Sequence, residues 1–585
     1  MLQGWLQIAF ICAVLVACMP LVGGYMARVF RNETVGLTRV VGPLERGIYR
    51  LLRVDVTKEQ DWKAYAKSLI VVSLLFWLAL YVILRTQTLH PVNPQGFHSG
   101  TWDVTFNTVS SFLTNTNWQF YGGETTMTYF SQMAGLAVQN FISAAVGIVV
   151  VVALIRGIVA RREGSRGLGN FWQDLTRAVL YVLLPLSILG AILLMSQGVL
   201  QTFSHYLGFT SVNGTSGQLA LGPVASQEAI KELGTNGGGF FNVNSAMPFE
   251  NPTGLSNFIE MFLILVIPTS LTYTYGKLVG SRRQGWAIFG AMSTLFVVGV
   301  VVVYMAEQHG APAQHLAGVN THAIAGSTGG NMEGKEQRFG IANSGLWTAV
   351  TTITSCGAVN AAFESLTGIG GLVPMANLSA SETIFGGVGT GLYSMLLFVI
   401  LAVFIGGLMV GRTPEFLGKK IEAREIKLTS IGVLFTPIAA LIATALATGT
   451  RYGAPSVYAE GPQGFSESIY AYLSQANNNG SAWAGYTGYY QPNPGNVGAH
   501  GITFADVLGG LTMMAARYVP ILIVLAVAGS LVRKTVHPAG LGTLRTDNPT
   551  FVVLLVGVIV LVGALTFFPA LLLGPVAQGL TAQVF

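Results

Sequence analysis

Apolar residues along this chain are not scattered; they gather into runs of about 20, the length a helix needs to cross roughly 30 Å of hydrocarbon. Ten stretches read as spanning helices: Leu6–Phe30, Tyr65–Leu84, Met133–Ile158, Phe171–Ser196, Leu255–Leu278, Trp286–Glu307, Val388–Val410, Ile426–Leu446, Leu511–Val532 and Thr550–Leu573. The pattern predicts an all-α polytopic membrane protein.

The polar positions between the runs alternate in kind. Basic clusters follow every odd-numbered span: Arg28 to Lys67 after the first, Arg156, Arg161, Arg162 and Arg166 after the third, Lys277 to Arg283 after the fifth, Arg412 to Lys427 after the seventh, and Arg533 to Arg545 after the ninth. The intervening loops are long and nearly free of Lys and Arg; residues 86–130 contain neither. Because Lys and Arg in short loops stay cytoplasmic, odd-numbered spans are expected to end inside, with both termini outside.

The four long outer loops share one design. Each carries a short amphipathic segment followed by a small polar tetrad: Thr114-Asn-Thr-Asn117, Gly234-Thr-Asn-Gly237, Thr354-Ser-Cys-Gly357 and Asn477-Asn-Asn-Gly480. From Asn117 to Gly237 is 120 residues, from there to Gly357 another 120, and on to Gly480 123. Self-similarity at a fixed period signals a repeated structural unit, here span, pore half-helix, tetrad, span. Four such pseudo-fourfold units use eight spans and leave one extra at each end. The expected division is 1-62 (first span and loop), 63-165, 166-284, 285-424 and 425-540 (repeats), and 541-585 (last span).

Taken singly, Asn477-Asn-Asn-Gly480 is an ordinary polar turn. Four tetrads at one topological position are different, because non-helical backbone at membrane depth is tolerated only where protein buries it or it lines a water-filled cavity. Four such strips on one axis would form rings of carbonyl oxygens able to replace a cation's hydration shell. Gly237, Gly357 and Gly480 admit backbone angles other residues resist, and Asn117 is among the most tolerant after glycine. The C-terminal dipole ends of the half-helices favour a cation nearby.

Composition narrows the classes further. Of 585 residues 51% are hydrophobic and 10% charged, against about 25% charged in soluble domains, so a soluble enzyme is excluded. The net charge of +6 resides in the inside loops, where contact with anionic lipid explains it; no aromatic-interleaved basic motif points to nucleic acid. Cys12, Cys18 and Cys356 give neither a disulfide framework nor a metal spacing, and no His-Glu-x-x-His pattern occurs. There is no Gly-x-x-x-x-Gly-Lys-Ser/Thr loop and no Asp-Lys-Thr-Gly run, so no hydrolytic site or cofactor is expected.

The runs Thr114–Gln119, Gly234–Phe240, Thr354–Ala358 and Asn477–Ala482 closely resemble the potassium-translocating A subunits (KdpA) of Kdp-type potassium-transporting ATPases, within the superfamily of potassium transporters. Tyr129–Gly135, Pro223–Ile230 and Gly411–Lys420 carry the same likeness, which spans essentially the whole chain. The resemblance implies a potassium-binding, channel-like and non-catalytic subunit of a high-affinity uptake pump in the bacterial inner membrane. It implies three partners: a P-type ATPase subunit that consumes the ATP, and two small membrane subunits. It assigns ion-coordinating backbone to Asn115, Thr116 and Asn117; Thr235, Asn236 and Gly237; Ser355, Cys356 and Gly357; and Asn478, Asn479 and Gly480, with K+ as the bound ion. Gln119 is expected to support the filter at its mouth, an outward-facing polar residue being the equal alternative. A self-sufficient channel or gradient-driven transporter of the same superfamily is the alternative function.

A subunit of a pump must not leak, and the resemblance implies a polar break in the inner helix of the third repeat. From Gly357 to Arg412 is 55 residues, against 40 from Gly237 to Lys277. The excess places a candidate gate at 368–387, including Gly368, Gly370, Gly371 and Glu382, with Arg412 as a second charged element. A solvated Glu382 and an Arg412 that merely anchors the inside face are the plainer reading. Glu260 and Arg517 lie within spans, where a charge is costly and marks function or pairing; interior packing near a polar path is the equal alternative to direct ion handling. The stretch Tyr486–Tyr490 with Pro492 and Pro494 is read as a variable outer loop.

Overall fold

The computed structural model describes every residue except 161–166, 325, 327, 410, 489–498, 539, 541–542 and 581–585, and the side chains of 455 and 499–503. Arg161, Arg162, Arg166, Val410, Tyr490, Pro492 and Pro494 therefore lie outside the described residues. Among the described residues ten helices are long and apolar enough to cross a membrane; this is a multi-pass membrane protein.

In chain order the main helices are α1 Leu2–Phe30, α2 Trp62–Arg85, α3 Trp102–Leu113, α4 Ser131–Val159, α5 Phe171–Ser196, α6 Val224–Leu233, α7 Gly254–Leu278, α8 Arg282–His309, α9 Gly340–Ile353, α10 Gly368–Ser379, α11 Thr390–Met409, α12 Ala423–Gly449, α13 Gly461–Ala476, α14 Ala499–Leu531 and α15 Pro549–Leu571. Helix Thr38–Leu51, several helices of about one turn and two antiparallel hairpins, β1 Leu207–Thr210 with β2 Ser216–Leu219 and β3 Glu415–Phe416 with β4 Lys419–Lys420, lie between or after them. The order span, half-helix, tetrad, span recurs four times, with α3, α6, α9 and α13 as the half-helices.

Burial separates the spans into layers. In the most apolar window of α4, 83% of residues are buried, and 72% in α7, 61% in α11 and 61% in α14. These are the second spans of the four repeats, and they form the inner ring. The first spans α2, α5, α8 and α12 are 28–44% buried, and the terminal α1 and α15 only 22% and 28%. A helix apolar on all sides is stable only within protein or lipid, so the outer layer presents its Leu, Val and Ile faces to the bilayer. The terminal spans are appended to this layer: α1 lies along α7, and α15 against α8 and α11.

The basic loops meet on one face. Arg156 forms a bidentate pair with buried Asp174 at 2.5 and 2.9 Å, to which Tyr65 also donates at 3.0 Å. Asn170 donates to the backbone of Asp55 and Lys58, Arg31 to the carbonyl of Lys277, and Gln284 to Thr546 at 2.8 Å. Lys419 at the β3–β4 hairpin is buried and donates to the carbonyls of Gly157 at 2.8 Å and Leu531 at 2.7 Å. It thus caps the C-terminal ends of α4 and α14, the end of a helix dipole that favours a cation. Burial, with Lys534 nearby, pushes its pKa down to about 8. The tetrads converge from the opposite face.

The third inner helix is the exception to the repeat, and it corrects the sequence expectation in part. Residues 368–379 are helical (α10), and only 380–389 are irregular before α11 begins. Gly368, Gly370 and Gly371 start α10 on the tetrad-mouth face, where they pack closely. A side chain at Gly368 would run into Gly579, one at Gly370 into the carboxylate of Glu307, and one at Gly371 would come 2.8 Å from Trp483. Glu307 anchors that helix start by accepting from the backbone and hydroxyl of Thr367 and pairing with buried Lys335 at 2.7 Å. These three glycines serve helix packing away from the break. Arg412 is exposed in the turn after α11, at the edge of the basic face.

Candidate functional site

Each half-helix ends in the same way. The first tetrad residue closes a last helical bond to the residue four before it: Thr114 to Ser110, Gly234 to Ile230, Thr354 to Val350 and Asn477 to Leu473. The third donates its N–H five residues back, Thr116 to Ser111, Asn236 to Lys231, Cys356 to Thr351 and Asn479 to Ser474, at 2.8 to 3.1 Å. Such a six-to-one bond around a left-handed residue is a Schellman ending. The left-handed residue is Asn115 (φ 74°), Thr235 (49°), Ser355 (52°) or Asn478 (51°), so glycine is absent from this position in all four repeats. The fourth residue is left-handed again: Asn117 at 54°, Gly237 at 66°, Gly357 at 86° and Gly480 at 95°. A non-glycine residue pays about 1–2 kcal/mol for that conformation, and it persists only where the surroundings impose it.

The four strips close a ring. A side chain at Gly237 would overlap the carbonyl oxygen of Cys356, one at Gly357 that of Asn479, and one at Gly480 that of Thr116. The first strip reaches the second through side chains instead: Asn115 donates to the carbonyl of Thr235 at 2.8 Å and Asn117 to that of Gly237 at 3.2 Å. Neighbours therefore touch in the order one, two, three, four, one. The side-chain amides lock the backbone rather than face the axis. Ser143 and Asn236 donate to the Asn115 oxygen at 2.7 and 2.6 Å, Asn478 to the Thr116 hydroxyl at 3.0 Å, and Asn479 to the carbonyl of Thr351 at 2.8 Å. Gln119 ties the first two strips just beyond the tetrads, donating to the carbonyl of Gly239 at 3.2 Å and accepting its N–H at 3.0 Å. Above the ring opens a cavity of about 460 Å³ lined by Asn117, Gln119, Gly238, Gly357, Gly480 and the loops beyond them.

The irregular segment 380–389 lies at the inner end of the strips. Val388 donates its N–H to the Thr235 hydroxyl at 2.9 Å, and Gly387 lies beside Thr235 and the carbonyl of Thr354. Ser381 (φ 53°), Glu382 (59°) and Phe385 (47°) are all left-handed, three strained residues within five. Glu382 is buried, and the arginine whose charge reaches it is Arg517 of α14. Arg517 donates to the Thr390 hydroxyl at 2.8 Å and to the Ser143 carbonyl at 3.2 Å. Arg517 is thus the arginine near Glu382, whereas Arg412 is exposed beyond α11. The clue available was the cost of an arginine within an apolar span.

A second cluster stands behind the second strip, and sequence reasoning missed it apart from Glu260. Glu228, Glu232 and Glu260 are fully buried with carboxylate oxygens within 4.8 Å of one another. That spacing suits a metal ion, but the ammonium of Lys231 already lies among them, 2.9 Å from Glu228 and 3.5 Å from Glu232.

Residues 9–580 match the family of potassium-transporting ATPase A subunits. The chain is 51% identical to the potassium-transporting ATPase potassium-binding subunit of Methylorubrum extorquens, with 100% of this chain and 99% of the relative covered. It is likewise 51% identical to the subunit of that name from Sorangium cellulosum, with 99% of both chains covered. Among solved structures it resembles the potassium transporter TrkH from Vibrio parahaemolyticus, with a TM-score of 0.50 over 79% of this chain and 84% of that one, at 14% identity.

Proposed function

The chain belongs to the family of potassium-transporting ATPase A subunits, and we propose that it binds potassium and conducts it as the channel-like subunit of an ATP-driven uptake pump. The observation that carries the reading is the alternation of left-handed residues at the second and fourth positions of four strips closed into a ring. Alternating handedness turns successive carbonyls toward one side of a strip, and four such strips ring an axis with oxygen. Backbone carbonyls of Asn115, Thr116 and Asn117, and of their counterparts Thr235 to Gly237, Ser355 to Gly357 and Asn478 to Gly480, exchange for the water of K+. The half-helix C-termini add the negative ends of four dipoles.

The units 63-165, 166-284, 285-424 and 425-540 are the four pore repeats. The basic face is cytoplasmic by the charge rule, which puts the mouth cavity and both termini outside the bacterial inner membrane. ATP is hydrolysed by a separate P-type subunit, with two small membrane subunits completing the complex. Segment 380–389 with Glu382 and Arg517 is the gate that keeps the pore from leaking.

The test is reconstitution. The chain co-purified with its ATPase subunit should hydrolyse ATP in a potassium-stimulated manner, and the chain alone in liposomes should take up no potassium without ATP. Gradient-driven uptake by the chain alone would establish a self-sufficient transporter instead.

A further inference from the structure

The residue five before the third tetrad position stands directly behind each strip. In the third and fourth repeats it is a hydroxyl that accepts the N–H of the last tetrad residue, Thr351 from Gly357 and Ser474 from Gly480, both at 3.0 Å. The first repeat has Ser111 there, and the second has Lys231. Lys231 is fully buried and reverses the polarity of the contact: its ammonium donates to the carbonyl oxygen of Gly238 at 2.8 Å.

Its other protons meet Glu228 at 2.9 Å and Glu250 at 3.2 Å. Each carboxylate reaches further into the strip's surroundings. Glu250 accepts the N–H of Phe241 at 2.9 Å, Glu228 accepts from the Ser245 hydroxyl at 3.2 Å, and Glu232 accepts from the Cys356 thiol of the third strip at 3.1 Å. A bare ammonium here would repel a cation on the axis. Surrounded by carboxylates, it becomes a rigid strut with no net positive field, and buried networks of this kind hold their geometry because every partner is costly to release.

We propose that Lys231 is a positioning residue for ion selection: it fixes the second strip through the Gly238 carbonyl, and the carboxylates around it carry that restraint across to the third strip. The inference rests on the reading of the four strips as a potassium filter. Without the strut, Gly238 is free to turn, and the ring loses the fixed spacing that separates potassium from rubidium.

The test measures half-saturating K+ and Rb+ and maximal turnover of potassium-stimulated ATP hydrolysis in the assembled complex. Lys231→Met, and the charge-matched Lys231→Met/Glu250→Gln, should raise half-saturating K+ about tenfold or more, the scale of a lost hydrogen bond to a charged group. Both should also reduce the K+ to Rb+ preference, while maximal turnover stays within about twofold; a residue with a purely structural role would lower turnover and leave the preference unchanged. The charge-matched variant removes one carboxylate together with the ammonium and leaves the net charge of the cluster unchanged, so a shift that persists in it belongs to the lost carbonyl contact. An unchanged preference and half-saturation in the charge-matched variant, alongside a shift in Gly237→Ala, would overturn the role of Lys231 and leave the filter standing. No shift in Gly237→Ala would overturn the filter reading and this inference with it.

Discussion

Gly357→Val in the assembled complex is expected to raise the potassium concentration for half-maximal ATP hydrolysis about a hundredfold. Gly357 sits at φ 86°, and any Cβ there would overlap the carbonyl oxygen of Asn479 in the next strip. The left-handed conformation alone costs a branched residue about 1–2 kcal/mol. Moving the neighbouring carbonyl off the axis costs at least as much again, and each 1.4 kcal/mol is tenfold in affinity. Gly480→Val should behave alike, because the same overlap falls on the carbonyl of Thr116. Gly557→Val is the control: α15 is peripheral, nothing lies within 4 Å of that position, and affinity should stay within about twofold. A titration of ATP hydrolysis against K+ checks all three. Equal affinities across the set would remove the strips from ion binding.

Removing 382–387 is expected to convert the complex into a passive potassium pore. The segment lies at the inner end of the strips, held by Val388 to Thr235 and by the close approach of Gly389 to Gly147. Its left-handed Glu382 and Phe385, next to left-handed Ser381, store strain, as segments that switch between two states do. Potassium flux into ATP-free liposomes should rise from near zero to well above the roughly 1–10³ events per second typical of an enzymatic cycle. The point variants Glu382→Gln and Arg517→Gln should leave the complex assembled but alter the coupling of hydrolysis to potassium. Unaltered coupling in both, with no leak in the deletion, would take the gate out of 380–389. Arg412→Gln should have little effect, since that side chain is exposed beyond α11.

What was legible in the chain follows from which forces are local. All ten spans could be read from hydropathy, because a membrane helix satisfies its backbone internally and advertises itself by length alone. The half-helices and strips were legible through their period, which survives even where individual tetrads differ. The left-handed second position was not: Asn115, Thr235, Ser355 and Asn478 follow no glycine rule, and contacts distant in sequence, such as Asn236 on Asn115, help hold them there. The break in the third inner helix was half legible. Extra length in the third repeat announced a break, but whether 368–379 would be helix depended on Glu307, Lys335 and Trp483, all distant in sequence. That Glu382 lies near Arg517, while Arg412 is exposed beyond α11, was hidden for the same reason. Lys231 was the least visible: on paper it is one basic residue in an outer half-helix, and its role emerges only from Gly238, Glu250 and Cys356 folded around it.

The central claim is that four backbone strips bind potassium on a shared axis. The most direct measurement is the position of a heavier potassium analogue, Rb+ or Tl+, located by its anomalous scattering in crystals of the complex. Density is expected on the axis between the carbonyls of Thr116, Asn236, Cys356 and Asn479. Density among Glu228, Glu232 and Glu260 instead, with the axis empty, would contradict it.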